Sequence, residues 1–140
     1  MIRILKPYIW ELIEDSRLLK ILISLVIPKI EDGNNFVVSI QEYTLEEIEL
    51  VENDALELQN YIKDYFNIVA DIVAKVAKYP HIDDYRHAVR DLYENVYRQM
   101  RHTVIDICGH CFALHDLITK NLDNIKTPRA VDSHCTSLYV

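Results

Sequence analysis

The sequence is poor in the residues that mark turns, with two glycines and four prolines among 140 residues. Proteins rich in β-sheet need frequent turns, and glycine and proline supply many of the backbone geometries that those turns require. Composition therefore argues against a sheet-rich fold. The chain is long enough to bury a core as one domain, and half of its residues are hydrophobic. We predict an all-α protein.

The chain also lacks a disulfide framework and a membrane-spanning stretch. It has three cysteines, and this odd number predicts free thiols in a reducing, cytoplasmic compartment. The most apolar stretch, residues 18–27, is interrupted by Lys20 and Ser24 and is too short to cross a bilayer. No secretory signal is evident. We expect no association with a membrane.

Positive charge is missing from one long stretch of the sequence. The net charge is −7, but residues 30–62 contain nine acidic residues and no Lys or Arg, which leaves the remainder at +2. Such a surface repels nucleic acid and anionic membranes, so we expect neither as a direct partner. It predicts instead a protein partner with a basic surface. The residues predicted to contact that partner are Glu46, Glu49, Asp54 and Glu57. The alternative is a solvated helix face, on which acids near the helix start complement the helix dipole.

The clearest pattern that is present is a seam of apolar residues spaced alternately by three and four. This is the period of a helix that buries a narrow stripe against another helix. Thr44 and Glu47 fit a capping box at its start, and Pro80 ends it, so we predict a helix over residues 44–79. The seam residues are Ile48, Val51, Ala55, Leu58, Ile62, Tyr65, Val69, Ile72 and Val76.

A second apolar stripe, from Tyr85 to Ile118, predicts a helix over residues 84–124. The connection between the two helices is short, which requires them to be antiparallel. Residues 7–27 are amphipathic, with Pro7 in the first turn, and predict one kinked helix or two short helices. The expected architecture is a helical bundle built on a long antiparallel hairpin, with the N-terminal helix or helices packed against it. Residues 1–126 would form this domain, and residues 127–140 a mobile tail.

Between the N-terminal region and the hairpin, two short segments carry other signals. Residues 32–35 read Asp-Gly-Asn-Asn, which is a strong turn sequence. Residues 36–40 are β-prone, but no second convincing strand exists to pair with them. We therefore predict an extended linker there, or an edge strand that pairs with a partner.

Polar side chains recur at helical spacing on the last predicted helix and could support chemistry. An Asp four residues from a His on each side could tune acid–base behaviour or offer metal ligands. A Cys-x2-Cys-x3-His run could begin a zinc site, with His110 nearby and His134 and Cys135 in the tail as the further candidate ligands. The alternatives are ion pairs on a polar flank and small buried cysteines, with no cofactor. The candidates are His102, Asp106, His110, Cys108, Cys111 and His115.

Other signatures of catalysis are missing, so the sequence leans away from an enzyme. Two glycines cannot form a glycine-rich phosphate loop, and the sequence has no Gly-x-Ser-x-Gly nucleophile elbow. The run Ile105-Asp106-Ile107-Cys108-Gly109-His110 is similar to a segment of the HEPN-domain ribonuclease toxins. This resemblance implies an α-helical, dimeric relative of RNA-cleaving toxins. No helix is predicted after the third one to carry their Arg-x4-6-His signature, so the resemblance does not imply their activity.

The leading functional prediction is a non-enzymatic, cytosolic protein-interaction module. Its size, acidity and lack of catalytic signatures suggest a small viral or mobile-element regulator that binds a basic surface of a host complex. The first alternative is the HEPN-like protein, or a metal or acid–base site on the last helix. The second is a structural protein that self-assembles, for example as a homodimer, through its apolar N-terminal helix and the seam.

Overall fold

The described part of the chain folds into three long helices. The computed structural model describes residues 2–28 and 36–126. The helices are α1 (Ile2–Val26), α2 (Phe36–Lys78) and α3 (Asp83–Lys126), and no strand occurs in the described ranges. The predicted all-α class is confirmed. The predicted turn at residues 32–35 and the predicted tail at residues 127–140 lie outside the described residues.

A tight turn joins α2 to α3 and makes them an antiparallel hairpin. The Tyr79 N–H donates to the Lys75 carbonyl at 2.9 Å, and the Ile82 N–H donates to the Tyr79 carbonyl at 3.2 Å. Pro80 has no N–H and cannot continue α2. The Tyr79 ring stacks on Tyr85 with centroids 6.4 Å apart, so an aromatic contact also closes the turn.

The core follows the predicted seam along one face of α2. From Ile48 to Ile62 the five seam residues are buried, whereas Tyr65 and those beyond it are only half-buried. Helix α1 is about 37 Å long and α2 about 65 Å, so α1 does not extend to the hairpin turn. Near the turn, α2 and α3 pack against each other without α1. On α3 the buried partners of the seam are Val96, Met100, Ile107, Leu114 and Ile125.

The start of α2 differs from the prediction. Residues 36–40 are helical, so the predicted linker or edge strand is wrong. Thr44 lies inside the helix, where its Oγ1 donates to the Ile40 carbonyl at 2.7 Å, so the predicted capping box is wrong too. The physical reason is burial: Val38, Gln41 and Thr44 extend the buried stripe toward the N-terminus. Two of these three are polar, and for that reason the apolar pattern did not reveal them.

The N-terminal region forms a single helix. Helix α1 begins at Ile2 and contains Pro7, which is therefore not in its first turn. Pro7 has no N–H to donate to the carbonyl of Arg3, so one hydrogen bond of the helix is missing, yet α1 continues to Val26. The buried face of α1 consists of Ile9, Ile13, Ser16 and Ile23.

The end of the bundle opposite the hairpin turn, here called the base, is held by a buried amide. Gln41 is fully buried, and its Nε2 donates to the Ile125 carbonyl at 2.9 Å. Just before this, Asn121 leaves helical geometry at φ −116° and ψ 17°, while its Nδ2 donates to the Leu117 carbonyl. The Gln41 bond therefore ties the last turn of α3 to the first turns of α2.

Candidate protein-interaction surfaces

The four residues of the predicted acidic face do not share one environment. Glu46, Glu49 and Glu57 are exposed on α2. Asp54 is half-buried, and its Oδ2 accepts a hydrogen bond of 2.6 Å from His110 Nδ1 on α3. The three glutamates are exposed to solvent, whereas Asp54 links two helices of its own chain. A role of any of the four in binding a partner stays a prediction.

This difference predicts unequal effects of removing the charges. Asp54→Asn weakens the contact with His110 and should lower the free energy of unfolding by about 1 kcal/mol. Glu57→Gln removes an exposed charge and should change it by less than about 0.5 kcal/mol. Urea unfolding followed by circular dichroism measures both values. Equal effects of the two substitutions would show that the His110 contact contributes no stability.

The structure scatters the six metal or acid–base candidates rather than gathering them. His102, Asp106, Cys108 and His115 are exposed, whereas His110 pairs with Asp54. Within residues 2–28 and 36–126, no group of three His, Cys, Asp or Glu side chains is arranged to hold a metal ion. The zinc prediction also used His134 and Cys135, which lie outside the described residues.

Cys111 is part of the interface between the helices. It is half-buried and packs against two groups of core residues, one around Leu58 and Met100 and the other around Ile48 and Leu114. Burial raises the pKa of the Cys111 thiol, and the nearby Cys108 and Asp54 act in the same direction. A raised pKa keeps this sulfur as a neutral thiol, which is the weaker metal ligand and the weaker nucleophile.

The most buried ionic contact in the described part of the chain is not indicated by the sequence pattern. Glu52 of α2, whose side chain is 9% exposed, accepts hydrogen bonds of 2.8 Å from Arg17 Nε and from Lys20 Nζ of α1. The sequence places Glu52 among eight other acidic residues of residues 30–62, so nothing local marks it as buried. This contact fixes the register of α1 along α2.

The same contact makes stability depend on pH. Hydrogen bonds from Lys20 and then Arg17 lower the pKa of Glu52 below 4.5, although burial opposes the shift. A carboxylate with a lowered pKa stabilises the fold above its unfolded pKa, and this stability is lost as the pH falls through the folded value. We expect Glu52→Gln to lower the melting temperature at pH 7 and to have less effect near pH 3. A loss of equal size at both pH values would exclude this ionic origin.

Apolar side chains are exposed toward the base. Leu25 is 77% exposed and Phe36 65% exposed, and Leu22, Val26 and Leu122 are exposed as well. They come from all three helices and lie at the end that Gln41 holds together. Exposed apolar groups gathered in one region are typical of a surface that binds another protein.

Comparison with known proteins identifies the family. The chain matches the family described as "Proteasome activator PA28, C-terminal" over residues 1–135. The chain belongs to the PA28 family of proteasome activators.

Individual members of the PA28 family agree with this assignment. The chain is 42% identical over 134 residues to proteasome activator complex subunit 3 of Homo sapiens, and to that of Gallus gallus, covering 96% of this chain and 52% of each relative. The crystal structure of the 11S subunit of the Plasmodium falciparum proteasome, PA28, matches with a TM-score of 0.82 at 39% identity. That match covers 92% of this chain and 55% of the other. The chain thus spans about half the length of these relatives.

The PA28 assignment corrects the functional predictions. The chain is not a viral or mobile-element regulator and not a HEPN-like protein, because the match to PA28 covers nearly the whole chain. The HEPN resemblance involved six residues of α3, of which Asp106 and Cys108 are exposed, and a run this short does not define a fold. The predicted protein–protein interaction is supported. The predicted homodimer is not supported, since the relatives are named as subunits of an activator complex.

The expectation of no membrane partner rested on the short, interrupted apolar stretch of residues 18–27 and on the acidic charge of residues 30–62. Among the described residues, none of the three helices is long and apolar enough to cross a membrane.

Proposed function

We propose that this chain binds the proteasome and stimulates its hydrolysis of peptides. The observation that carries the proposal is its 42% identity over 134 residues to a proteasome activator complex subunit. A non-catalytic binding protein also agrees with the candidate residues on α3, which the structure does not bring together into a site. Stimulation would then come from occupancy of the proteasome surface rather than from chemistry by this chain.

The base is the surface that we propose for this contact. Its exposed side chains Leu25 and Phe36 offer apolar area, and apolar groups that become buried on association drive most protein–protein binding. The Gln41–Ile125 hydrogen bond holds the helix ends in place before binding. A surface that is already ordered loses less conformational entropy when it binds.

We also propose that several copies assemble. The C-terminal half of α1 exposes Leu18 and Ile21 on its outer side, away from the buried residues of that helix. Copies that join through two different surfaces form closed rings when the rotation between neighbours closes.

Light scattering after size exclusion should give a mass well above that of a dimer. A monomer at all concentrations would contradict assembly by this chain alone.

An intracellular, reducing location belongs to the same proposal. It agrees with the odd number of cysteines and with the exposed thiol of Cys108.

Binding can be tested with purified components. Fluorescently labelled chain is mixed with proteasome core particles, and co-elution on size exclusion is measured. We expect the label to move to the elution volume of the core particle and to be displaced by unlabelled chain. No co-elution at micromolar concentrations of both proteins would contradict the proposal.

A further inference from the structure

A groove between α1 and α2 has features that the proposed function does not use. It has a volume of about 490 Å³ and lies on the side of both helices, nearer the hairpin turn than the Glu52 contact. The buried side chains of Ile9 and Ile62 form part of its lining. Trp10 and Phe66 also line it, and they are 49% and 54% exposed. The groove therefore has an apolar floor and two accessible aromatic rings.

The charge of this groove is opposite to that of the chain. Two lysines, Lys6 and Lys63, line it, and none of the described Asp or Glu residues does. The chain carries 22 acidic residues against 15 Lys and Arg, so a stretch of surface with basic residues alone stands out. In the described part of the chain, neither lysine takes part in an ion pair. Their ammonium groups are thus available to an outside carboxylate.

The remaining polar groups of the groove suit a polypeptide. Gln59, Asn60 and Asn67 contribute side-chain amides, which can both donate to and accept from a peptide backbone. Tryptophan and phenylalanine walls accept apolar side chains, and tryptophan is enriched among the residues that dominate binding energy. These features specify an occupant with apolar side chains flanked by carboxylates.

We propose that this groove binds an acidic segment of a partner protein, with an aromatic or aliphatic side chain seated between Trp10 and Phe66. Lys6 and Lys63 contact the carboxylates that flank this side chain. Electrostatic attraction of this kind weakens as the salt concentration rises. The groove lies away from the base, so an acidic segment can occupy the groove while the base contacts another protein.

Trp10 provides a direct test because it is the one tryptophan of the sequence. The probe is a synthetic peptide with Phe and Leu placed among glutamates, added to the full chain while tryptophan fluorescence is recorded. We expect a saturable change that weakens between 50 mM and 300 mM salt. The same peptide with lysine in place of every glutamate should produce no saturable change.

Charge reversal identifies the surface. Lys6→Glu with Lys63→Glu should raise the dissociation constant by about tenfold or more. The matched control, Lys75→Glu with Lys78→Glu, changes the net charge by the same amount at residues outside the groove. It should raise the dissociation constant less than about threefold. Lys6→Gln with Lys63→Gln, which adds no negative charge, should have an intermediate effect. Circular dichroism verifies that each variant is folded.

Three results would overturn the proposal. The first is no saturable fluorescence change with the acidic peptide. The second is an equal loss of affinity in the groove variant and its control. The third is a change in Trp10 fluorescence on dilution of the chain without peptide, which would assign the groove to a second copy of the chain. None of these measurements uses the proteasome, so failure here leaves the proposed function standing.

Discussion

Replacing both Leu25 and Phe36 by aspartate is expected to reduce stimulation of the proteasome by about tenfold or more. Both side chains are exposed at the base, where they come from the end of α1 and the start of α2. Burying two carboxylates in an apolar interface without partners costs several kcal/mol, which is enough to remove most of the complex. The initial rate of fluorogenic peptide hydrolysis by proteasome core particles, with and without the variant, measures the effect.

The control for this experiment is Ile68→Asp with Val73→Asp. These two side chains are 45% and 50% exposed on the half of α2 nearer the hairpin turn. The control adds the same charge to an exposed apolar surface away from the base, and it should retain most of the stimulation. If both pairs reduced stimulation equally while the proteins remained folded, the base would not be the contact surface.

The second large effect concerns the core. Leu58→Ala is expected to lower the free energy of unfolding by about 2–5 kcal/mol. Leu58 is 1% exposed and packs in the core with Ile13 of α1 and Met100 of α3, so all three helices meet around it. The substitution removes apolar contacts and leaves a cavity that long, stiff helices cannot easily close. Urea unfolding measured by circular dichroism gives the value.

Leu50→Ala provides the matched control for Leu58→Ala. Leu50 lies on the same helix, loses the same atoms and is 47% exposed. Its effect should stay within about 1 kcal/mol. A loss of stability at Leu50 as large as that at Leu58 would mean that Leu50 is buried in solution, for example against another copy of the chain.

Much of the fold could be predicted from the sequence because apolar spacing carries the information. The seam identified the buried face of α2 from Ile48 to Ile62, and Pro80 identified the end of that helix within two residues. The first eight residues of α2 were missed because the β-prone residues before Thr44 predict an extended segment. In the structure their packing against the core outweighs this local propensity, and they are helical. Gln41 is fully buried, although a polar side chain would be expected to be exposed. The structure shows the partner of its amide nitrogen, the carbonyl of Ile125, which lies 84 residues away in the sequence.

The interaction surfaces could be predicted less well, since they depend on which side chains of different helices meet. The acidic stretch was visible in the sequence, but only the structure separates Asp54 and Glu52, which contact other helices, from the exposed Glu46 and Glu57. The groove beside Trp10 joins residues more than fifty positions apart and has no local signature. The N-terminal helix was predicted to serve in self-assembly, which stays a prediction, and its residues Leu18, Leu22 and Leu25 are exposed in the structure.

The central claim is that this chain activates the proteasome. The most direct measurement is the rate at which purified proteasome core particles hydrolyse a fluorogenic peptide as the concentration of this chain is raised. The claim predicts a saturable increase in rate, and the variant with Leu25→Asp and Phe36→Asp should lose most of it. A rate that stays at the level of core particles alone, under conditions in which the chain is folded and in excess, would contradict the claim.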